Sequence, residues 1–204
     1  MTPDLRKERE IGIYEATLRL IGSGQDPMTM KVQQIAEAAG IGKGTVYEYF
    51  SSKEEILRGV ALHSFDTEIV RVRTLMARCM TLEDLEEAVT TYLSDLMQTR
   101  MAAYRVIAGN INTPDAGMAS EVARRIGELR AITGETVDRL RQAGRTEKTL
   151  DRNYCDLALF CAALGGLVCL SVGQCSGIAS PEGILTELRK LLHRALQPLP
   201  TGNT

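Results

Sequence analysis

Apolar residues recur along this chain at steps of three and four, the period of a helix buried on one face. Ile11, Tyr14, Leu18 and Ile21 form one such stripe and predict a helix over Leu5–Ile21, ended by breakers at Gly22, Gly24 and Pro27. Ile35 and Ala39, four apart, place a second helix over Val32–Ala39. Val46 and Phe50 place a short third over Lys43–Phe50. Ser52-Lys-Glu-Glu55 reads as a capping box, with Ser52 accepting from the Glu55 amide and the Glu55 carboxylate reaching back. It opens a long helix to about Cys79, striped by Ile56, Val60, Leu62, Phe65, Ile69, Val72 and Met76.

Thr81-Leu-Glu-Asp84 caps the next helix, carrying Leu85, Val89, Tyr92, Leu93, Leu96 and Met97, broken near Arg100 and ending by Asn112. Met118–Ala143 is amphipathic and dense in arginine (Arg124, Arg125, Arg130, Arg139, Arg141), which reads as a solvated face. Within a helix over Asn153–Gln174, the stretch Leu157–Val172 carries no charge. It falls short of the roughly 20 residues that span a bilayer, so no membrane is expected. A helix apolar all round is otherwise buried on all sides. Its small residues, Ala158, Ala162, Gly165, Gly166 and Cys169, let another helix approach closely. Ser180 and Pro181 open a last helix striped by Ile184, Leu185, Leu188, Leu191 and Leu192. No stretch sustains period-two alternation, so the fold class is all-α.

At 204 residues and 44% hydrophobic content the chain can bury a sizeable core in one or two domains. Its net charge is −2, and basic and acidic side chains nearly balance over the first 58 residues. A nucleic-acid surface here must place its cations locally, because counterion release counts the phosphates contacted. The amino terminus has no apolar h-region, which points to a cytoplasmic protein. Cys79, Cys155, Cys161, Cys169 and Cys175 show no ligand spacing, so neither a metal nor a cofactor is expected. They read as small buried hydrophobes. The sharper alternative is a redox cluster over Cys155–Cys175, with Cys161, Cys169 and Cys175 on one broad helical face. A reactive thiol needs cations nearby, and only Arg152 beside Cys155 offers one. His63 and His193 are the only histidines and nothing joins them to a nucleophile, so no enzyme is expected.

The densest signal is Ile35–Leu57, IAEAAGIGKGTVYEYFSSKEEIL. Ala36 fits where two helices cross, Gly40 where the turn needs positive φ, and Val46 as the plug of the second helix. GIGKGT also looks like part of a phosphate loop, but Gly44 separates Lys43 from Thr45 and the preceding IAEAA is helical. A bland helical hairpin leaves Tyr47 and Tyr49 outside the core without a reason. Helix-turn-helix is the better reading. Over about residues 11–57 the chain resembles the tetracycline-repressor (TetR) family of bacterial regulators, whose pattern is IA..AG(V/I)(S/G).GT(L/V)Y.(H/Y)F..KE.L. One departure is Met30-Lys31 where the family usually has two threonines before the second helix.

The resemblance implies an amino-terminal three-helix helix-turn-helix DNA-binding domain, 1–52, and a carboxy-terminal helical effector-binding and dimerisation domain, 53–204. It implies a homodimer on a palindromic double-stranded DNA operator, usually a repressor released by a small molecule. By position, Lys43, Gly44 and Gln33 would approach base edges, while Thr45, Tyr47, Tyr49 and Lys53 would mainly hold phosphates. An effector pocket would draw on Tyr92, Met97, Met101, Tyr104, Met118 and Phe160. The last two helices would pair between subunits through Ala158, Ala162, Gly165, Gly166, Cys169, Leu188 and Leu192. The alternatives are a redox-responsive regulator and, in another class, a helical membrane-associated or protein-interaction module.

Overall fold

A computed structural model describes residues 2–111, 115–144, 151–172 and 180–197. Among them the regular structure is all helical: α1 Pro3–Gly22, α2 Val32–Ala38, α3 Lys43–Tyr49, α4 Lys53–Arg78, α5 Leu82–Thr99, α6 Met101–Ile111, α7 Ala116–Gln142, α8 Arg152–Val172 and α9 Pro181–Ala195. Packing divides the chain into two compact units, residues 1–68 with 100–125 and residues 69–99 with 126–204. The expected functional boundary at residue 52 coincides with the start of α4 at Lys53, an uninterrupted helix whose residues up to Glu68 pack in the first unit.

In the first unit α1 packs against α2, α3 and α6. That cover on more than one side moves its buried stripe to Ile13, Ala16, Thr17 and Ile21, leaving Ile11, Tyr14 and Leu18 half-buried. Thr17 is buried without penalty because its hydroxyl donates to Ile13 O at 2.8 Å. Ser52 Oγ accepts from the Glu55 amide at 3.1 Å, as the capping box requires. The Glu55 carboxylate turns to Ser51 instead, accepting from its amide and hydroxyl, both at 2.6 Å. Those two bonds hold the Glu55 carboxyl below its ordinary range.

Tyr14 lies 5.5 Å from the Phe50 ring and 5.7 Å from His63. Gly59 of α4 sits beneath it, where any Cβ would overlap the phenol ring. Burial, then Glu10 and Glu55, push the Tyr14 pKa up to about 12. The folded state keeps that proton while the unfolded chain, near 10, loses it. Its contribution to stability is complete below pH 10 and disappears as pH rises toward 12. Tyr14→Phe should therefore narrow the fall in melting temperature between pH 9.5 and 11.5. An unchanged fall would remove Tyr14 from the alkaline transition.

Of the five arginines of α7 only Arg125 leaves the solvated face that the sequence reading expects, and the exposed ones are tied down by partners. Arg125 is buried, donating Nε to Asp66 at 2.7 Å and also reaching Glu121. Nearby in the same unit Arg100 and Glu68 form a largely buried pair at 3.0 Å. In the second unit Arg139 donates to Met76 O at 2.6 Å and Cys79 O at 3.2 Å, carbonyls at the end of α4. Arg130, exposed, binds Asp156 at 2.6 Å; Arg124 and Arg139 are exposed too, and Arg124 and the half-buried Arg141 pair with Glu121 and Asp138.

In the second unit α5, α8 and α9 pack on one another over a core that includes Leu85, Leu93, Leu159, Leu188 and Leu192. Ser180 caps α9, accepting from Gly183 N at 3.1 Å. Arg152–Leu170 of α8 is long and apolar enough to cross a membrane, with mean hydropathy 1.7. It is not buried on all sides as its composition predicted. Cys155, Leu159, Ala162, Gly166 and Leu170 face inward; Leu157, Cys161, Leu164, Gly165 and Val168 are exposed. Burial raises the thiol pKa of Cys79 and takes that of Cys155 up to about 11, so both stay protonated near neutrality. Cys161 is exposed and Cys169 half-buried, while Cys175 lies outside the described residues.

Candidate nucleic-acid interface

The turn between α2 and α3 follows from its residues. Gly40 has φ +68, and its amide donates to Glu37 O while the Ile41 amide reaches Ala36 O at 3.0 Å. These paired bonds satisfy the last carbonyls of α2 and need a residue at ease in the left-handed region, which glycine is. Ala36 and Val46 are fully buried where the two helices cross. Without a hydroxyl cap, α2 starts on Gln34, whose Oε1 accepts from the Lys31 amide at 2.8 Å and whose Nε2 donates to Gln25 at 3.0 Å. The side chain three residues into the helix thus replaces the missing threonine.

This frame sets out the expected contact residues one by one. Lys43 and Gly44 occupy the exposed first turn of α3, and a Cβ on Gly44 would meet nothing within 4 Å. Lys43 Nζ lies 5.8 Å from the centroid of Tyr47, itself 48% exposed, so the ammonium and the phenol share one surface. Thr45 and Tyr49 are half-buried. Gln33 is exposed on α2 and donates to Glu37 at 2.8 Å. Lys53 is engaged, donating to Met28 O at 2.6 Å and so tying the segment before α2 to the start of α4. Its ammonium keeps two further donors. Sequence reasoning missed Arg6, whose guanidinium lies 5.5 Å over the Tyr49 ring. No periodicity links two residues 43 apart, so only the fold reveals the pair.

The residues expected to line an effector pocket divide between the units. Met101, Tyr104 and Met118 belong to the first, and Tyr92, Met97 and Phe160 to the second. Met118 is buried, Tyr92 and Met97 pack against the second core, and the Arg130 guanidinium stands 5.9 Å over Phe160. Two open grooves between α5 and α9 are lined by other residues, including Glu83, Glu86 and His193. In them His193 Nδ1 meets the buried Glu86 carboxylate at 2.9 Å. Of the residues expected between subunits, Ala162, Gly166, Leu188 and Leu192 are buried within their own unit, because α8 packs on α9 and α5. Ala158 and Cys169 are half-buried and Gly165 is exposed.

Residues 13–60 match the profile of the bacterial regulatory proteins of the tetR family. A comparison with curated proteins finds no match to the sequence. Among solved structures, the transcriptional regulator FadR from Bacillus subtilis in complex with stearoyl-CoA is similar, with TM-score 0.69 and 17% identity over 93% of this chain and 99% of that one. The fatty acid degradation regulator FadR from Bacillus halodurans gives 0.68 and 16% over 96% of each. A TetR family transcription regulator from Marinobacter aquaeolei VT8 gives 0.64 and 19% over 97% of this chain and 100% of that one. At these identities the structural likeness shows a common fold, and the sequence match supplies the rest. The match over residues 13–60, on a chain with this fold, supports a DNA-binding transcriptional regulator whose helix-turn-helix region is similar to that of the tetR family.

Proposed function

We propose that the protein is a cytoplasmic homodimeric repressor that leaves a palindromic operator when a small molecule binds its helices beyond residue 53. The observation that carries the dimer is the open face of α8. Leu157, Leu164 and Val168 are 52%, 41% and 49% exposed on an uncharged stripe, and Leu191 of α9 is exposed in the same unit. A second copy of the chain covers such a stripe by the symmetry of an isologous contact. The stripe is bounded by charge, Asp156 and Arg152 being paired with Arg130 and Asp138, so it is a seam and not the whole circumference that a membrane would require.

Two copies bring two recognition helices to half-sites about 34–36 Å apart. Lys43, Gly44 and Gln33 are assigned to base edges; Thr45, Tyr47, Tyr49 and Lys53 to the phosphates. Lys43→Ala should relax preference at one base pair of each half-site, worth about 1–3 kcal/mol of discrimination. Lys53→Ala should weaken all duplexes alike and flatten the salt slope by about one unit. Its loss also frees the Met28 carbonyl, so the two variants need comparing at several salt concentrations. A changed base preference in Lys53→Ala, or an unchanged one in Lys43→Ala, reverses the assignment.

For release, α4 is the proposed lever. It runs from Lys53, beside the recognition helix, to Arg78, so its tilt sets how far apart the two heads stand. An effector that favours a wider spacing weakens DNA binding by its differential affinity for the two states. Tyr92, Met97 and Phe160 of the second unit remain proposed ligand contacts, methionine being adaptable to apolar ligands. Stearoyl-CoA, which the Bacillus subtilis regulator holds, is the compound to try first. The deciding experiment enriches a duplex from a randomised pool, then measures its symmetry and the mass of the complex by sedimentation. A palindrome bound by a dimer supports the reading; an asymmetric site bound by a monomer defeats it. Stearoyl-CoA added to that complex should release DNA if the effector is an acyl thioester.

A further inference from the structure

Arg6 lies in the first turns of α1 and reaches the end of the recognition helix. Its guanidinium stacks 5.5 Å from the Tyr49 centroid, and its Nη2 lies 3.5 Å from Tyr49 O. Its Nε donates to Glu10 at 3.0 Å, one turn along α1. Its charge also acts on Glu55 in the first turn of α4. The side chain is nevertheless 50% exposed. A guanidinium carries five N–H donors in a planar fork, and these contacts leave most of that fork open.

We infer that Arg6 is a phosphate-contact residue, by which α1 joins the DNA-binding face beside Tyr49. The inference rests on the assignment of Tyr49 to a phosphate. A cation stacked on that phenol lies within reach of the same strand, and Arg suits phosphate better than Lys because its donors pair with two oxygens at once. Glu10 competes for it in the free protein. Binding to DNA would exchange the Glu10 carboxylate for a phosphate oxygen.

The test uses the full chain and the duplex it enriches from a randomised pool, with affinity read by anisotropy from 0.05 to about 0.4 M salt. Losing one phosphate contact flattens the slope of log K against log salt by about 0.9, which corresponds to about eightfold weaker binding at 0.1 M. Arg6→Ala should show both. Arg6→Lys should keep the slope and lose part of the affinity, and Glu10→Gln should bind more tightly than the parent. Melting temperatures establish that each variant is folded; should Arg6→Ala unfold, Arg6→Lys and Glu10→Gln decide alone. If Arg6→Ala weakens binding equally at every salt, or changes nothing, or if Glu10→Gln binds no more tightly, the contact does not exist. Tyr49→Phe and Lys53→Ala separate the two levels. If they too leave binding intact, the DNA face itself is misplaced; if they weaken it while Arg6→Ala does not, only Arg6 is excluded.

Discussion

Leu164→Glu is expected to give a folded monomer that binds its operator about 10²–10⁴-fold more weakly than the parent. Leu164 is exposed on α8 at one helical turn from Cys161 and Val168, away from the side that packs on α5 and α9. A carboxylate there costs the isolated unit little, since it stays in water. In the proposed dimer it would be buried opposite apolar groups, and the symmetry of the contact places it there twice. Loss of the second head turns an intramolecular half-site contact into a bimolecular one, and the factor follows from the effective concentration that the link supplied. Sedimentation, helicity and operator titration on one preparation check all three parts. A dimer that persists with parental affinity would move the interface off this face of α8.

The same helix shows what the sequence made legible and what it did not. Its period, length and caps were readable because each depends on residues close in the chain: Ser180 capping α9, Thr81 capping α5, and the break at Arg100 all stand as read. The turn at Gly40 was readable for the same reason, its two closing bonds joining residues within five positions. Which face of α8 points inward was not. An uncharged helix offers no contrast between its sides, so the choice fell to packing with α5 and α9, which took Ala162 and Gly166 into the core and left Gly165 exposed. Arginine roles were hidden likewise. Arg125 meets Asp66 at a separation of 59 residues and Arg139 meets Met76 at 63, distances over which no periodic rule operates. At the proposed DNA face, the turn and its exposed residues were legible because the motif is local, whereas the stacking of Arg6 on Tyr49 and the bond from Lys53 to Met28 O required the fold.

Adjacent glycines of α8 should respond in opposite ways to one substitution. A Cβ on Gly166 would stand 2.9 Å from Leu188 Cδ2 and 3.2 Å from Leu93 Cδ1, closer than carbon atoms pack. Gly166→Glu would force those leucines apart and leave a carboxylate without a partner in the core. An uncompensated buried charge costs about 3–5 kcal/mol. At this chain length that lowers the melting temperature by about 10 °C or more. A Cβ on Gly165 meets nothing within 4 Å. Gly165→Glu should keep the unit folded, and replacing a helical glycine even adds up to about 1 kcal/mol of helix stability. Its effect should fall on association instead, as with Leu164→Glu. The pair thus separates loss of fold from loss of partner within two consecutive positions. If Gly166→Glu melted like the parent, the α5–α8–α9 packing would be wrong. If Gly165→Glu remained a dimer while Leu164→Glu did not, the seam would lie to the Leu164 side of α8.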